Sequence, residues 1–105
     1  MIKVIFTVKN SVVTGFEISG HSDYSEQGSD IVCAAVSSAA YMTANTITEI
    51  MELDCSVTAD DEFMGLSLPY NEAEQAQVIL NGLLLHLNAL CEEYAKFIDL
   101  KISEV

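Results

Sequence analysis

The stretch Ile2-Lys3-Val4-Ile5-Phe6-Thr7-Val8-Lys9, then Asn10-Ser11, then Val13-Thr14-Gly15-Phe16-Glu17-Ile18-Ser19, decides the architecture. Ile2, Val4, Phe6 and Val8 alternate with Lys3, Thr7 and Lys9, the period of two that a strand with one buried face requires. Asn10-Ser11 is turn chemistry, and the strand that returns from Val13 to Ser19 sets Phe16 and Ile18 on one face. Gly20 breaks the alternation, and the polar run from His21 to Ser29 reads as a loop.

Working outward from this hairpin, a long helix is expected from Asp30 to Met51, with Ser29 or Asp30 as its N-cap. Its early turns hold Ala34, Ala35, Ser37, Ser38, Ala39 and Ala40, and such small side chains predict a central helix covered on several sides. Cys55–Ala59 and the alternating Met64, Leu66 and Leu68 predict two short strands across the polar turn Asp60-Asp61-Glu62. Pro69 ends the second. Asn71 and Glu74 form a capping-box pattern, which opens a helix from Glu72 to Phe97. Its apolar stripe is Ala76, Leu80, Leu83, Leu84, Leu87, Leu90, Cys91 and Tyr94. Ile98, Leu100 and Ile102 alternate as a last strand. The order is ββαββαβ. It predicts an α+β, two-layer sandwich in which a mixed sheet of about five strands carries two long helices on one face. A chain of 105 residues supports one core, so residues 1–105 are expected to form one domain. The other face of the sheet would lie bare, and dimerisation is the expected way to hide it.

Composition narrows the function. Sixteen acidic side chains stand against four lysines and no arginine, a formal charge of −12. Direct nucleic-acid binding needs a basic footprint that this chain lacks. A polyanion instead attracts basic partners, of which ribosomal proteins are the most abundant in a cell. Three widely spaced cysteines, Cys33, Cys55 and Cys91, make no disulfide framework and fit a reducing compartment. With no Cys-x-x-Cys, no paired Cys/His spacing and no Gly-rich phosphate loop, neither a metal nor a cofactor is expected. Ile31–Thr48 is the nearest approach to a membrane span, but Ser37, Ser38, Thr43, Asn45 and Thr46 dilute it. The first residues run straight into a strand with no signal-peptide cleavage site, so a cytoplasmic protein with no membrane partner is expected.

One constellation can carry chemistry. Cys33 falls in the expected first turn of the long helix, where unpaired amides and the macrodipole favour thiolate over thiol. His21 lies just upstream, on a loop long enough to fold back, and an imidazole there can exchange the thiol proton with a leaving amine. The same amides can hold the oxyanion of a tetrahedral intermediate. Asp30, Cys33 and Ser37 are spaced by three and four, so they share a helix face. Asp30 opposes ionisation of a neighbouring thiol, and orienting His21 or pinning the loop suits it better. Ser37 is placed to bond the loop, the substrate or its own helix. Cys55 on a strand, Cys91 in an apolar stripe and His86 among leucines read as structural. A cysteine in an Ala/Val-rich helix is by itself more often a small buried hydrophobe, so spacing alone leaves Cys33 open.

The residue string closes the choice. Gly20-His21, followed by Gly28-Ser29-Asp30-Ile31-Val32-Cys33-Ala34-Ala35-Val36-Ser37, resembles the signature of the ribosomal-processing cysteine protease (Prp) family. Length, acidic balance and element order agree, and Ser22, where the family more often has Ala, departs from it. The resemblance implies a cytoplasmic, homodimeric bacterial endopeptidase. It would remove the N-terminal extension of large-subunit ribosomal protein number twenty-seven after a phenylalanine-rich stretch. It assigns the nucleophile to Cys33, the general base to His21 and supporting positions to Gly20, Asp30 and Ser37. It also implies a mobile loop over Ser22, Asp23, Tyr24, Ser25, Glu26, Gln27, Gly28 and Ser29, whose acids, with Asp30, would face a basic substrate. Two alternatives are a non-catalytic acidic dimer that binds a basic ribosomal protein during subunit assembly, and a thiol redox sensor.

Overall fold

The computed structural model describes residues 1–20 and 29–105. Strands β1 (Ile2–Lys9) and β2 (Val12–Ser19) are joined through Asn10 and Ser11, whose φ of 49° and 66° are the left-handed pair that a tight hairpin uses. Phe6 pairs with Phe16, their ring centroids 5.9 Å apart. Thr14 is an extra residue in β2, because Thr7 opposes Gly15 while Val8 opposes Val13. Strands β3 (Ser56–Ala59) and β4 (Phe63–Ser67) make the second hairpin, and β5 (Ile98–Glu104) runs parallel to β1. The sheet order is β3-β4-β2-β1-β5, so the mixed five-stranded sheet and the ββαββαβ order are as expected.

Helix α1 (Ser29–Asn45) packs Val32, Val36, Ala40, Thr43 and Ala44 onto the sheet, while Ala34 and Ser38 are exposed. The small residues therefore do not put this helix at a covered centre. It has one buried side and one open side. Ser29 is the first described residue of α1, and Asp30 lies in its first turn, where a carboxylate complements the dipole. Residues Thr46–Ile50 continue as a π turn, in which the Met51 N–H donates to the Thr46 carbonyl at 2.8 Å. Asp30–Ile50, 21 residues, is long and apolar enough to cross a membrane by length and composition, contrary to the dilution argument. The reason is compositional: Ile31, Val32, Cys33, Val36, Met42, Ile47 and the five alanines outweigh the serines and threonines, whose hydroxyls at 43, 46 and 48 also donate back to the carbonyls of Ala39, Met42 and Ala44. In the fold this segment is the helix laid on the sheet, with Ile47 buried as well.

The second helical region differs from its expected form. Helix α2 (Tyr70–Gln75) begins directly after Pro69, and helix α3 (Gln77–Glu93) follows a break at Ala76. No side chain caps α2, so Asn71 and Glu74 form no capping box; the Glu72 carboxylate instead accepts from the Asp54 N–H at 3.3 Å. The break has a partner across the fold. Gln77 Oε1 accepts from the Val13 N–H at 2.9 Å, and its Nε2 donates to the Val13 and Ala73 carbonyls at 2.8 Å each. Helix α3 stops at Glu93 rather than Phe97, because residues 94–97 form the turn that lets the Phe97 carbonyl accept from the Ile2 N–H and start β5 beside β1. The expected stripe holds: Ala76, Leu80, Leu83 and Leu87 are buried, and Leu84, Leu90, Cys91 and Tyr94 pack against them.

The uncovered face of the sheet presents Lys3, Thr7, Glu17, Ser67 and Lys101, with Phe63 over Gly65. It is mostly polar, with Ile5 and Phe63 as its apolar members. Exposed apolar side chains concentrate on the helix layer instead, at Ile31, Met42, Val78 and Leu85.

Candidate active site

Cys33 is the fifth residue of α1, half-buried, and it lines a cleft between the start of that helix and the sheet. Helical Cα–Cβ bonds lean toward the N-terminus, which sets the sulfur over the first turn. Val36, Ala40 and Met64 make an apolar floor, and Tyr41 stands at the mouth, two turns along from Cys33.

Of the supporting residues, the structure brings two into this cleft. Ser37, one turn beyond Cys33, lines it half-buried. Unlike Thr43, Thr46 and Thr48, Ser37 makes no hydrogen bond among the described residues, so its hydroxyl is not spent on its own helix. Gly20, the residue bonded to His21, also lines the cleft. Its φ of 83° is left-handed, and a Cβ there would meet the Met1 carbonyl oxygen at 2.6 Å, so glycine is required on two counts. Its N–H donates to the Glu62 carbonyl at 3.2 Å, which fastens the end of β2 to the β3–β4 turn. Asp30 shares the expected helix face but is exposed and does not line the cleft. His21 and the loop positions Ser22 to Gly28 lie outside the described residues, whereas Ser29, the last expected loop position, belongs to α1.

The sequence reading missed the opposite wall. Asp60, Asp61, Glu62 and Phe63 line the cleft together with Cys33. The Asp60 carboxylate holds this turn by accepting from the N–H groups of Glu62 and Phe63 at 2.8 and 2.9 Å. The pairing of Ser19 with Phe63 is what carries an acidic turn to the end of β2, and strand order is not written in hydrophobic periodicity. Only the polar turn itself was visible as a signal.

The other thiols are placed as structural residues. Cys91 Sγ donates to the Ile98 carbonyl at 3.4 Å, and burial, with Asp54 beside it, raises the Cys55 thiol above its ordinary value. Among the described residues no group of three or more His, Cys, Asp or Glu side chains is arranged to hold a metal ion.

Comparison with known proteins adds a second line. The family model described as cysteine protease Prp matches residues 1–99. The ribosomal processing cysteine protease Prp of Staphylococcus aureus is 35% identical over 104 residues, covering 95% of this chain and 97% of that protein. That of Bacillus subtilis is 25% identical over 88 residues, covering 78% and 79%. A crystal structure of S. aureus Prp in complex with a substrate peptide superposes with a TM-score of 0.88 at 30% identity, covering 98% of this chain and 100% of the other. A Streptococcus mutans crystal structure also gives 0.88 at 30%, covering 100% and 96%. With a thiol-bearing cleft at the expected cysteine and a match that runs almost end to end, the chain belongs to the cysteine protease Prp family.

Proposed function

We propose that this chain removes the N-terminal extension of large-subunit ribosomal protein number twenty-seven, acting in the cytoplasm as a homodimer, with Cys33 as nucleophile and His21 as general base. The observation that carries the reading is the placement of Cys33: a half-buried thiol over the start of α1, in a cleft shared with Ser37 and with the residue bonded to His21. His21 takes the thiol proton as sulfur attacks the scissile carbonyl, forming the C–S bond. The first-turn amides of α1 stabilise the oxyanion. The tetrahedral intermediate collapses, the C–N bond breaks, and His21 returns the proton to the leaving amine. Water then hydrolyses the thioester with His21 again as base. Ser37 bonds the bound peptide, and Asp30 acts outside the cleft, on the segment that leads to Cys33.

The exposed Asp60, Asp61 and Glu62 support a basic substrate, because they put negative charge at the cleft rim. The S. aureus relatives, one with a substrate peptide and one with a covalently linked product peptide, support a protease that acts through a covalent intermediate over an acidic binding module or a redox sensor. The test is mass spectrometry of the ribosomal protein after incubation with wild type and with Cys33→Ala. The proposal requires a new N-terminus with the first and none with the second. Cleavage by Cys33→Ala overturns it.

A further inference from the structure

We infer that the free edge of β3 holds the substrate peptide, which adds to the sheet as a further strand leading into the Cys33 cleft. The inference rests on the proteolytic reading of that cleft and says how the chain flanking the scissile bond is held. Among the described residues β3 has β4 as its one sheet partner, and all four of its residues are exposed. The alternation of an antiparallel ladder fixes which of its backbone groups are unused. The Asp60 N–H donates to the Phe63 carbonyl at 2.8 Å, so Asp60 and Phe63 form a hydrogen-bonded pair. In a register that sets Ala59 against Met64 and Thr58 against Gly65, the next such pair is Thr58 with Gly65. The N–H and C=O groups of Val57 and Ala59 therefore point away from β4, where an incoming strand bonds them.

The make-up of this edge leaves it receptive, and its position selects the occupant. Exposed edges are usually blunted by lysine, proline or a bulge. Ser56-Val57-Thr58-Ala59 carries none of these, whereas β5 at the opposite edge carries Asp99, Lys101 and Glu104. Val57 and Ala59 pair with the buried Leu66 and Met64, so their side chains lie on the helix-bearing side of the sheet, where Val57 is 43% exposed. Alternate side chains of an added strand meet that surface, and the intervening ones meet Ser56 and Thr58. The strand is continuous with the cleft, because Asp60, its next residue, lines the cleft with Cys33. Neutral itself, β3 is bracketed by Asp54 at one end and by Asp60, Asp61 and Glu62 at the other. A basic peptide gains at both ends. A second copy of a chain that carries −12 brings the same carboxylates against them.

Proline tests the inference, since at position 59 it removes one outward N–H and no ladder bond. The control is Glu104→Pro at the far edge, where the bonds of Phe97 and Val105 to β1 turn the Glu104 N–H outward as well. Both positions are exposed, and circular dichroism reports folding. With a peptide spanning the processing site, Ala59→Pro should raise KM about tenfold and leave kcat within about twofold, as loss of a bond shared by ground and transition states does. Glu104→Pro should match wild type. N-methylation of the peptide, one amide at a time, should show the period of a ladder: within the paired segment every second methyl raises KM and those between are tolerated. This scan uses the wild-type protein, so it decides alone if Ala59→Pro does not fold. A folded Ala59→Pro with wild-type KM, or a scan without alternation, overturns the inference while the protease stands. No cleavage by wild type overturns both. Sedimentation showing that Ala59→Pro, and not Glu104→Pro, dissociates an oligomer assigns the edge to a second copy and overturns the inference.

Discussion

Gly20 is the residue whose replacement has the most to say about how the cleft is held. In Gly20→Ala the new methyl meets two obstacles. The backbone stays at a φ of 83°, which costs an L-residue about 1–2 kcal/mol. The Cβ also sits 2.6 Å from the Met1 carbonyl oxygen, and that oxygen cannot retreat freely, because the next residue, Ile2, is buried and donates its N–H to Phe97 at 2.8 Å. Overpacking of this kind costs about 1–3 kcal/mol. The loss of unfolded-chain freedom returns about 0.4–1 kcal/mol. The net destabilisation is about 1–5 kcal/mol, and at about 4–8 °C per kcal/mol for a domain of this size the melting temperature falls by about 4–40 °C. Scanning calorimetry measures it. The counterpart is Gly82→Ala in α3, where open space and helical backbone give a gain of about 0.5–1 kcal/mol. Relief of the Gly20→Ala clash also pulls on the bond to the Glu62 carbonyl, so peptide cleavage falls more than the folded fraction does. A Gly20→Ala protein that melts within about 2 °C of wild type would refute the reasoning.

Three further outcomes are expected. Cys33→Ala loses cleavage by about three orders of magnitude or more while its melting temperature stays close to wild type, as a half-buried site on an Ala-rich helix allows; calorimetry and the peptide assay read the two effects separately. Iodoacetamide labels Cys33 before Cys55 and Cys91 in peptide-mapping mass spectrometry. Because the Cys55 thiol is raised, less of it is thiolate at any pH below that value, and its labelling rate keeps climbing at a pH where an ordinary thiol has levelled off. Gln77→Ala leaves the Val13 N–H and C=O without their part-buried partners and destabilises by about 2–3 kcal/mol in urea denaturation, with α2 and α3 loosened from β2.

Local chemistry explains which parts of this molecule could be read from residues alone. The first hairpin was legible because its alternation and its Asn10-Ser11 turn are both short-range signals, and the long α3 stripe was legible because its spacing repeats over four turns. The false capping box at Asn71 and Glu74 shows the limit: Pro69 had already fixed the helix start, and Glu72 was taken by Asp54, a residue 18 positions away. The break at Ala76 answers to Val13, which is 64 positions from Gln77. For the same reason the sequence pointed to Cys33, Ser37 and Gly20, which sit within one short stretch, and missed Asp60 to Met64, which reach the cleft only through the pairing of β2 with β4. Burial by face was equally out of reach: the bare face of the sheet is mostly polar around Ile5 and Phe63, and most exposed large apolar side chains lie on the helices.

The cleft around the sulfur is assembled from Ile2, Gly20, the early turns of α1 and the turn that follows β3, pieces scattered over the first two-thirds of the chain. A nascent or loosened polypeptide carries the thiol but none of its surroundings. With Cys33 as the proposed nucleophile, hydrolytic competence arrives only when the last long-range pairing closes, and misfolded copies are inert by construction.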